Sequence, residues 1–367
     1  MRLDHIKSLD GLRTIAIFLV LFWHYVVCQL SGDMFGGYAR KINTFFSWTW
    51  SGVDLFFVLS GFLIGRILLF NKGSKNFFKA FYIRRLLRIF PAYYFIILLM
   101  LVYSTFGNTS DWLIGNLYPS YSYLLYIQNF YMAIEGFGSH WLSVTWSLAI
   151  EEQFYMILPF VVFLFKRKTT ILIAIIGIFL SPVLREISEP LLGLKLGDYV
   201  LLPMRMDALL IGVVIAHFYL NGTIQNYFSK RKKILGVSIV ALFLAYLTYV
   251  IKGNGGVIGD SIAHSMLTLF YGLFLIFVLI SKGDATEKFL SNKIFSFVAK
   301  ISYMIYLSHE IISGLLHHYL AGQTPQINNF FDVSITFLSL IITIVFSTIT
   351  YYLFELRLTG LGKKFKY

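Results

Sequence analysis

Arg13 and His24 stand eleven residues apart in the stretch RTIAIFLVLFWHY. Three helical turns take about 10.8 residues, so a helix carries both side chains on one face, roughly 16 Å apart along its axis. A guanidinium forks onto phosphate oxygens. An imidazole exchanges protons near neutral pH, with an unperturbed pKa of about 6.5. A second basic group follows in KNFFKAFYIRRLLRIFPAYY, where Arg84 and Arg88 share a helical face and Arg85 lies beside them. Three arginines at a helix entry suit a clamp on nucleotide phosphates, or an anchor on lipid headgroups.

Carboxylates and further polar groups sit inside apolar stretches, where they are costly and turn toward the protein interior. Asp54 opens GVDLFFVLSGFLIGR, near the expected depth of His24. There it could orient the imidazole or cap a helix N-terminus. Glu151 and Glu152 lie in HWLSVTWSLAIEEQFYMILP, with Arg205 or His24 as partners or in a structural ion pair. Arg205 and Asp207 lie in PMRMDALLIG, and His309 and Glu310 follow Tyr303 and Tyr306 in KISYMIYLSHEII. No H-E-x-x-H pattern occurs among the eight histidines, so no metal is expected. Walker, G-x-G-x-x-G and G-x-S-x-G signatures are also absent.

These groups are positioned by a polytopic membrane frame. Of the 367 residues, 57% are hydrophobic and 13% charged, against about 25% charged in soluble domains. The apolar blocks run to roughly 18–25 residues, enough to cross a bilayer. They predict an all-α transmembrane bundle of ten spans, at 12–30, 50–70, 89–106, 142–165, 170–187, 203–220, 234–251, 260–281, 300–320 and 333–355. With both termini cytoplasmic, 25 of the 31 Lys and Arg fall on the inside. The net charge of +13 is thus accounted for by loop topology, with no nucleic-acid partner. Gly61 and Gly65 make a G-x-x-x-G packing signal. Pro182, Pro190 and Pro203 are expected to break helices across 182–205. The stretch 107–141, rich in Tyr, Ser, Gly and Asn, is the longest outside loop and suits a cap over a cavity. The first apolar run is too long for a signal-peptide core. The single cysteine, Cys28, excludes an internal disulfide.

The order of LDGLR with the Arg13-to-His24 spacing, GVDLFFVLSGFLI, RRLLRIFPAYY, TWSLAIEEQFYMILP, RMDALLIG, ISYMIYLSH and FELRLTGLGKKF resembles the acyltransferase-3 integral membrane acyltransferases over nearly the whole chain. That family modifies sugars of lipopolysaccharide O-antigens, peptidoglycan and related acceptors. Two departures stand out: Glu310 follows His309 where relatives often have an apolar residue and proline, and the tail reads Glu355-Leu356-Arg357 where they often have Glu-x-Pro.

The resemblance implies a single acyltransferase domain over 1–367, without a soluble extracellular domain, in the inner (plasma) membrane. It implies acyl-CoA as donor co-substrate, no permanently bound cofactor, and a hydroxyl acceptor on a cell-surface or lipid-linked glycan. Arg13, Arg84, Arg85 and Arg88 would then bind the donor. His24 would act as general base with Asp54 or Glu151 stabilising its imidazolium; an acyl-histidine intermediate is the other route. Trp23, Glu152, Arg205, Asp207, Tyr303 and His309 would line the acceptor pocket. Acetyl is the default acyl group, with succinyl and N-acyl transfer left open, as is monomer against dimer. The rival class is a proton-coupled secondary transporter or flippase, which buried carboxylates and histidines would also suit.

Overall fold

The structure is a computed structural model that describes residues 4–30, 36–106, 112–252 and 260–367. It is 83% helical, with no strand among the described residues, as the apolar blocks require. Ten long helices make the frame: α1 (Ser8–Phe22), α2 (Gly52–Asn71), α3 (Phe77–Phe106), α4 (Thr145–Leu164), α5 (Arg167–Leu192), α6 (Leu202–Leu220), α7 (Lys232–Ile251), α8 (Ser261–Ile280), α9 (Lys293–Ala321) and α10 (Phe330–Thr350).

Nine helical stretches among the described residues, from Ser8–Val27 to Phe330–Gly362, are long and apolar enough to cross a membrane. The span expected at 300–320 is α9. It is 29 residues long, about 43 Å, but Lys300, His309, Glu310, His317 and His318 dilute its hydropathy. Ser308, His309, Glu310, Ser313 and His317 are buried, the placement that polar groups at membrane depth demand. The opposite arrangement holds on α7 and α10, which expose Ile234, Val237, Val240, Phe337, Ile341 and Val345, a surface suited to lipid.

The break expected within 182–205 lies between Leu192 and Leu202, not at Pro182 or Pro190. Helix α5 continues through Pro182 and Pro190 to Leu192. Pro182 removes one backbone donor, and its own carbonyl is taken by the Ser261 hydroxyl at 3.1 Å. Gly193, left-handed at φ 64°, ends the helix. A short helix, Gly197–Val200, precedes α6, and Pro203 sits in the first turn of α6, where it is tolerated. Within 107–141, residues 107–111 lie outside the described residues, and the rest forms short helices at Ser120–Leu124 and Gln128–Glu135.

The chain divides into two compact units: Met1–Ala16, Ser51–Gly73 and Ile150–Ala299, and Ile17–Trp50, Ser74–Ala149 and Lys300–Tyr367. In the first, α2 and α6 meet backbone to backbone. A Cβ at Gly61 would collide with the Leu209 carbonyl, and one at Gly212 with the backbone of Val58 and Phe62. The G-x-x-x-G signal is therefore a helix crossing that admits no side chain. In the second unit, Gln29 ties three segments together. Its amide donates to Ser313 Oγ at 3.1 Å and accepts from Thr336 Oγ1 at 2.8 Å. Its backbone carbonyl accepts from Ile327 N at 2.7 Å.

Candidate active site

The second unit builds a cluster of three histidines and one glutamate. At the end of α1 the chain widens into a π-helical turn, Trp23–Val27, closed by Cys28 N–H donating to Trp23 O at 2.8 Å. Such turns re-aim side chains and recur at functional sites. His24 lies in this turn, its Nδ1 3.1 Å from Val20 O. Helix α9 supplies His309 and Glu310. His140 comes from a 3-10 turn, His140–Leu142, held where Ser139 Oγ donates to Leu113 O at 2.7 Å. One turn beyond Glu310, Gly314 leaves room for this loop. A Cβ there would lie 2.6 Å from a Leu113 methyl and 3.3 Å from the His140 ring.

The proton positions follow from the acceptors each nitrogen faces. His309 Nδ1 lies 3.1 Å from Ile305 O and 2.8 Å from Tyr306 O, so it carries the hydrogen. In the neutral ring Nε2 is then an acceptor, and it lies 3.1 Å from His24 Nδ1. His24 Nδ1 thus faces two acceptors, Val20 O and His309 Nε2, and must donate. In the neutral ring of His24, Nε2 then keeps the lone pair; it lies 3.6 Å from Glu310 Oε1. The other carboxylate oxygen, Oε2, lies 2.7 Å from His140 Nε2, within ion-pair range. Tyr25 fixes His309 from behind: its hydroxyl donates to the His309 carbonyl at 3.0 Å and accepts from Thr343 Oγ1 at 2.9 Å.

Access is graded. The His24 and His140 side chains are 24% and 30% exposed, Glu310 8% and His309 0%. A ring nitrogen of a partly exposed histidine stands beside a carboxylate that would neutralise the charge arising when that nitrogen takes a proton. That is the equipment of a general base.

The expected residues are distributed as follows. His24 and His309 come together, and Trp23 sits half-buried in the same π turn. Tyr303 donates to Ile89 O at 3.3 Å. Arg84 and Arg85 are half-buried and Arg88 exposed near the start of α3. The chain's last residues cover part of this group, with Arg84 Nε donating to Phe365 O at 2.7 Å and its guanidinium 5.0 Å from the Tyr367 ring centre. Burial pushes the Tyr367 phenol pKa up, and Arg84 and Arg85 pull it back.

Arg13, Asp54, Glu151, Glu152, Arg205 and Asp207 belong to the first unit. There Arg205 pairs with Asp54 and bonds the His264 ring, and it also lies 5.2 Å from the Tyr199 ring centre. Arg185 pairs with Asp207 at 2.9 Å and donates to Ser265 Oγ at 2.8 Å. These buried charges are matched to one another, which is the form of a structural network. Glu151 and Glu152 are half-buried on α4.

Sequence reasoning did not bring Glu310 and His140 to the side of His24. Glu310 was visible as a charged residue in mid-span, and His140 as the polar residue opening the fourth span. Neither carried a spacing that ties it to His24.

The acyltransferase domain family, Acyl_transf_3, matches residues 6–352. A Staphylococcus aureus (strain COL) protein named "Putative O-acetyltransferase" is 30% identical across 96% of this chain and 57% of its own length. The "O-acetyltransferase OatA" of S. aureus (strain NCTC 8325 / PS 47) is 26% identical across 98% of this chain and 58% of its own. The chain thus spans somewhat over half the length of these relatives. No solved structure matches it.

Proposed function

The chain belongs to the acyltransferase-3 family, and on that footing we propose that it is a membrane-embedded O-acetyltransferase with His24 as its general base. It takes an acetyl group from acyl-CoA and delivers it to a hydroxyl of a cell-surface or lipid-linked glycan. The observation that carries the reading is His24 Nε2 lying 3.6 Å from Glu310 Oε1.

In the proposed reaction His24 Nε2 takes the proton of the acceptor hydroxyl while that oxygen attacks the thioester carbonyl carbon. The C–O bond forms and the C–S bond breaks. The imidazolium, stabilised by the Glu310 carboxylate, returns the proton to the leaving thiolate, giving an ester and free coenzyme A. The role expected of Asp54 or Glu151 passes in this reading to Glu310, because Asp54 is committed to Arg205. The phosphate-rich head of the donor rests on Arg84, Arg85 and Arg88, and the pantetheine arm carries the thioester to His24. Both termini face the cytoplasm of the plasma membrane, in keeping with the basic inside loops.

The test is acetyl transfer by the purified chain in detergent, where no gradient can drive a transporter. His24→Ala is expected to lower the rate by about 10²–10⁴. Transfer at the wild-type rate would remove His24 as the base. Mass spectrometry of surface glycans from cells with and without the protein should show gain of one acetyl group and locate the acceptor.

A further inference from the structure

The His24, His309, Glu310 and His140 cluster has more ligand capacity than a general base needs. One ligand-type atom each from His24, His309 and Glu310 lies within 4.8 Å of the others. The Glu310 Oε1 atom is 3.6 Å from His24 Nε2 and 4.0 Å from His309 Nε2. Ligand atoms around a tetrahedral Zn²⁺ at about 2.0–2.1 Å stand roughly 3.3 Å apart, so the three atoms must draw together to close the site. His140 Nε2 lies beside this group, 2.7 Å from Glu310 Oε2, and a three-residue zinc site keeps its fourth position for water.

The outer contacts also match a metal site. A ligating histidine donates its other ring N–H to a carbonyl or carboxylate, which sets its tautomer. His309 has Ile305 O and Tyr306 O for this purpose, and His24 has Val20 O. The His24 side chain is 24% exposed. The ligands come from two separate stretches of chain, which is why the absence of H-E-x-x-H did not exclude them.

We propose that this cluster binds one Zn²⁺ ion and that the bound ion inhibits the protein. Two imidazoles and one carboxylate are nitrogen and oxygen donors that Zn²⁺ favours. The inhibitory half rests on the base role proposed for His24. A lone pair donated to zinc cannot accept a proton, so the metal and the acceptor hydroxyl compete for the same Nε2 atom. Binding also replaces the His24–His309 hydrogen bond with two bonds to the ion, while each ring keeps its backbone carbonyl.

The experiment uses the full chain, cleaved of any affinity tag, stripped with EDTA and held in detergent micelles. CoCl₂ serves as the spectroscopic probe and ZnCl₂ as competitor. One equivalent of Co²⁺ should produce the intense visible absorption of a tetrahedral site, and one equivalent of Zn²⁺ should abolish it. Glu310→Gln and His309→Ala should each weaken binding about tenfold or more, with folding checked by size-exclusion chromatography. His5→Ala, in the first unit, should change nothing. Acetyl transfer should fall in step with Zn²⁺ occupancy and return with EDTA. Absence of saturable binding, or binding that survives both substitutions, would overturn the site. Stoichiometric binding that leaves transfer unchanged, or that EDTA shows to be required for it, would overturn the inhibitory role. Failure of His24 as the base would appear instead as wild-type transfer by His24→Ala, a result independent of the cobalt spectrum.

Discussion

His309 Nε2 lies 3.1 Å from His24 Nδ1, while His309 Nδ1 is held by two carbonyls of its own helix. The second histidine thereby sets the tautomer of the first. His309→Ala is expected to lower kcat by about 10²-fold or more with little change in the KM for acyl-CoA. His309→Gln, whose amide oxygen can accept from His24 Nδ1, should recover part of that loss. Equal kcat values for the two variants would argue for packing alone.

Glu310 faces His24 through one oxygen and His140 through the other. Glu310→Gln keeps the shape and removes the charge. If the carboxylate stabilises the imidazolium, kcat should fall by about 10²–10⁴. Steady-state kinetics with donor and acceptor varied separately would check this, since a purely structural role would instead appear as reduced yield of folded protein.

Gly314 admits the His140 loop against α9. Gly314→Ala forces Leu113 and His140 to move, and overpacking of this kind costs about 1–3 kcal/mol. Thermal unfolding in detergent should show the loss, accompanied by slower transfer because His140 is displaced from Glu310.

The Arg185–Asp207 pair is fully buried, with 0% and 4% of the two side chains exposed. Removing one partner leaves an unmatched buried charge, at a cost of about 3–5 kcal/mol. Asp207→Ala should therefore destabilise the chain severely. A donor or acceptor KM effect in folded Asp207→Ala protein, without loss of stability, would instead support the acceptor-pocket expectation for this residue.

Arg84 is half-buried and joined to Phe365 and Tyr367. If it holds donor phosphate, Arg84→Ala should raise the KM for acyl-CoA about 10–100-fold, the equivalent of losing charged hydrogen bonds worth about 1.5–3 kcal/mol. Unchanged donor kinetics would leave it as an anchor for the end of the chain.

Much of the fold was legible from local pattern. Apolar blocks of bilayer length determine helices, because a backbone in lipid must satisfy its own hydrogen bonds. Gly61 and Gly65 announced a close helix crossing. Pro182 misled, since a long helix can continue through a proline at the loss of one backbone hydrogen bond.

His24 was identifiable from its type, depth and eleven-residue interval from Arg13. Its partners were not. His140, His309 and Glu310 lie more than a hundred residues away along the chain, and no periodicity links them. Local sequence determined which residues sit on which helix and how costly each charge would be there. Only the tertiary structure decided which carboxylate meets which basic group: Asp54 with Arg205, Asp207 with Arg185, and Glu310 with His24 and His140. The physical reason is that a buried charge is satisfied by whichever opposite group packing brings within about 4 Å, and packing is set by the shape of whole helix faces rather than by the spacing of any one motif.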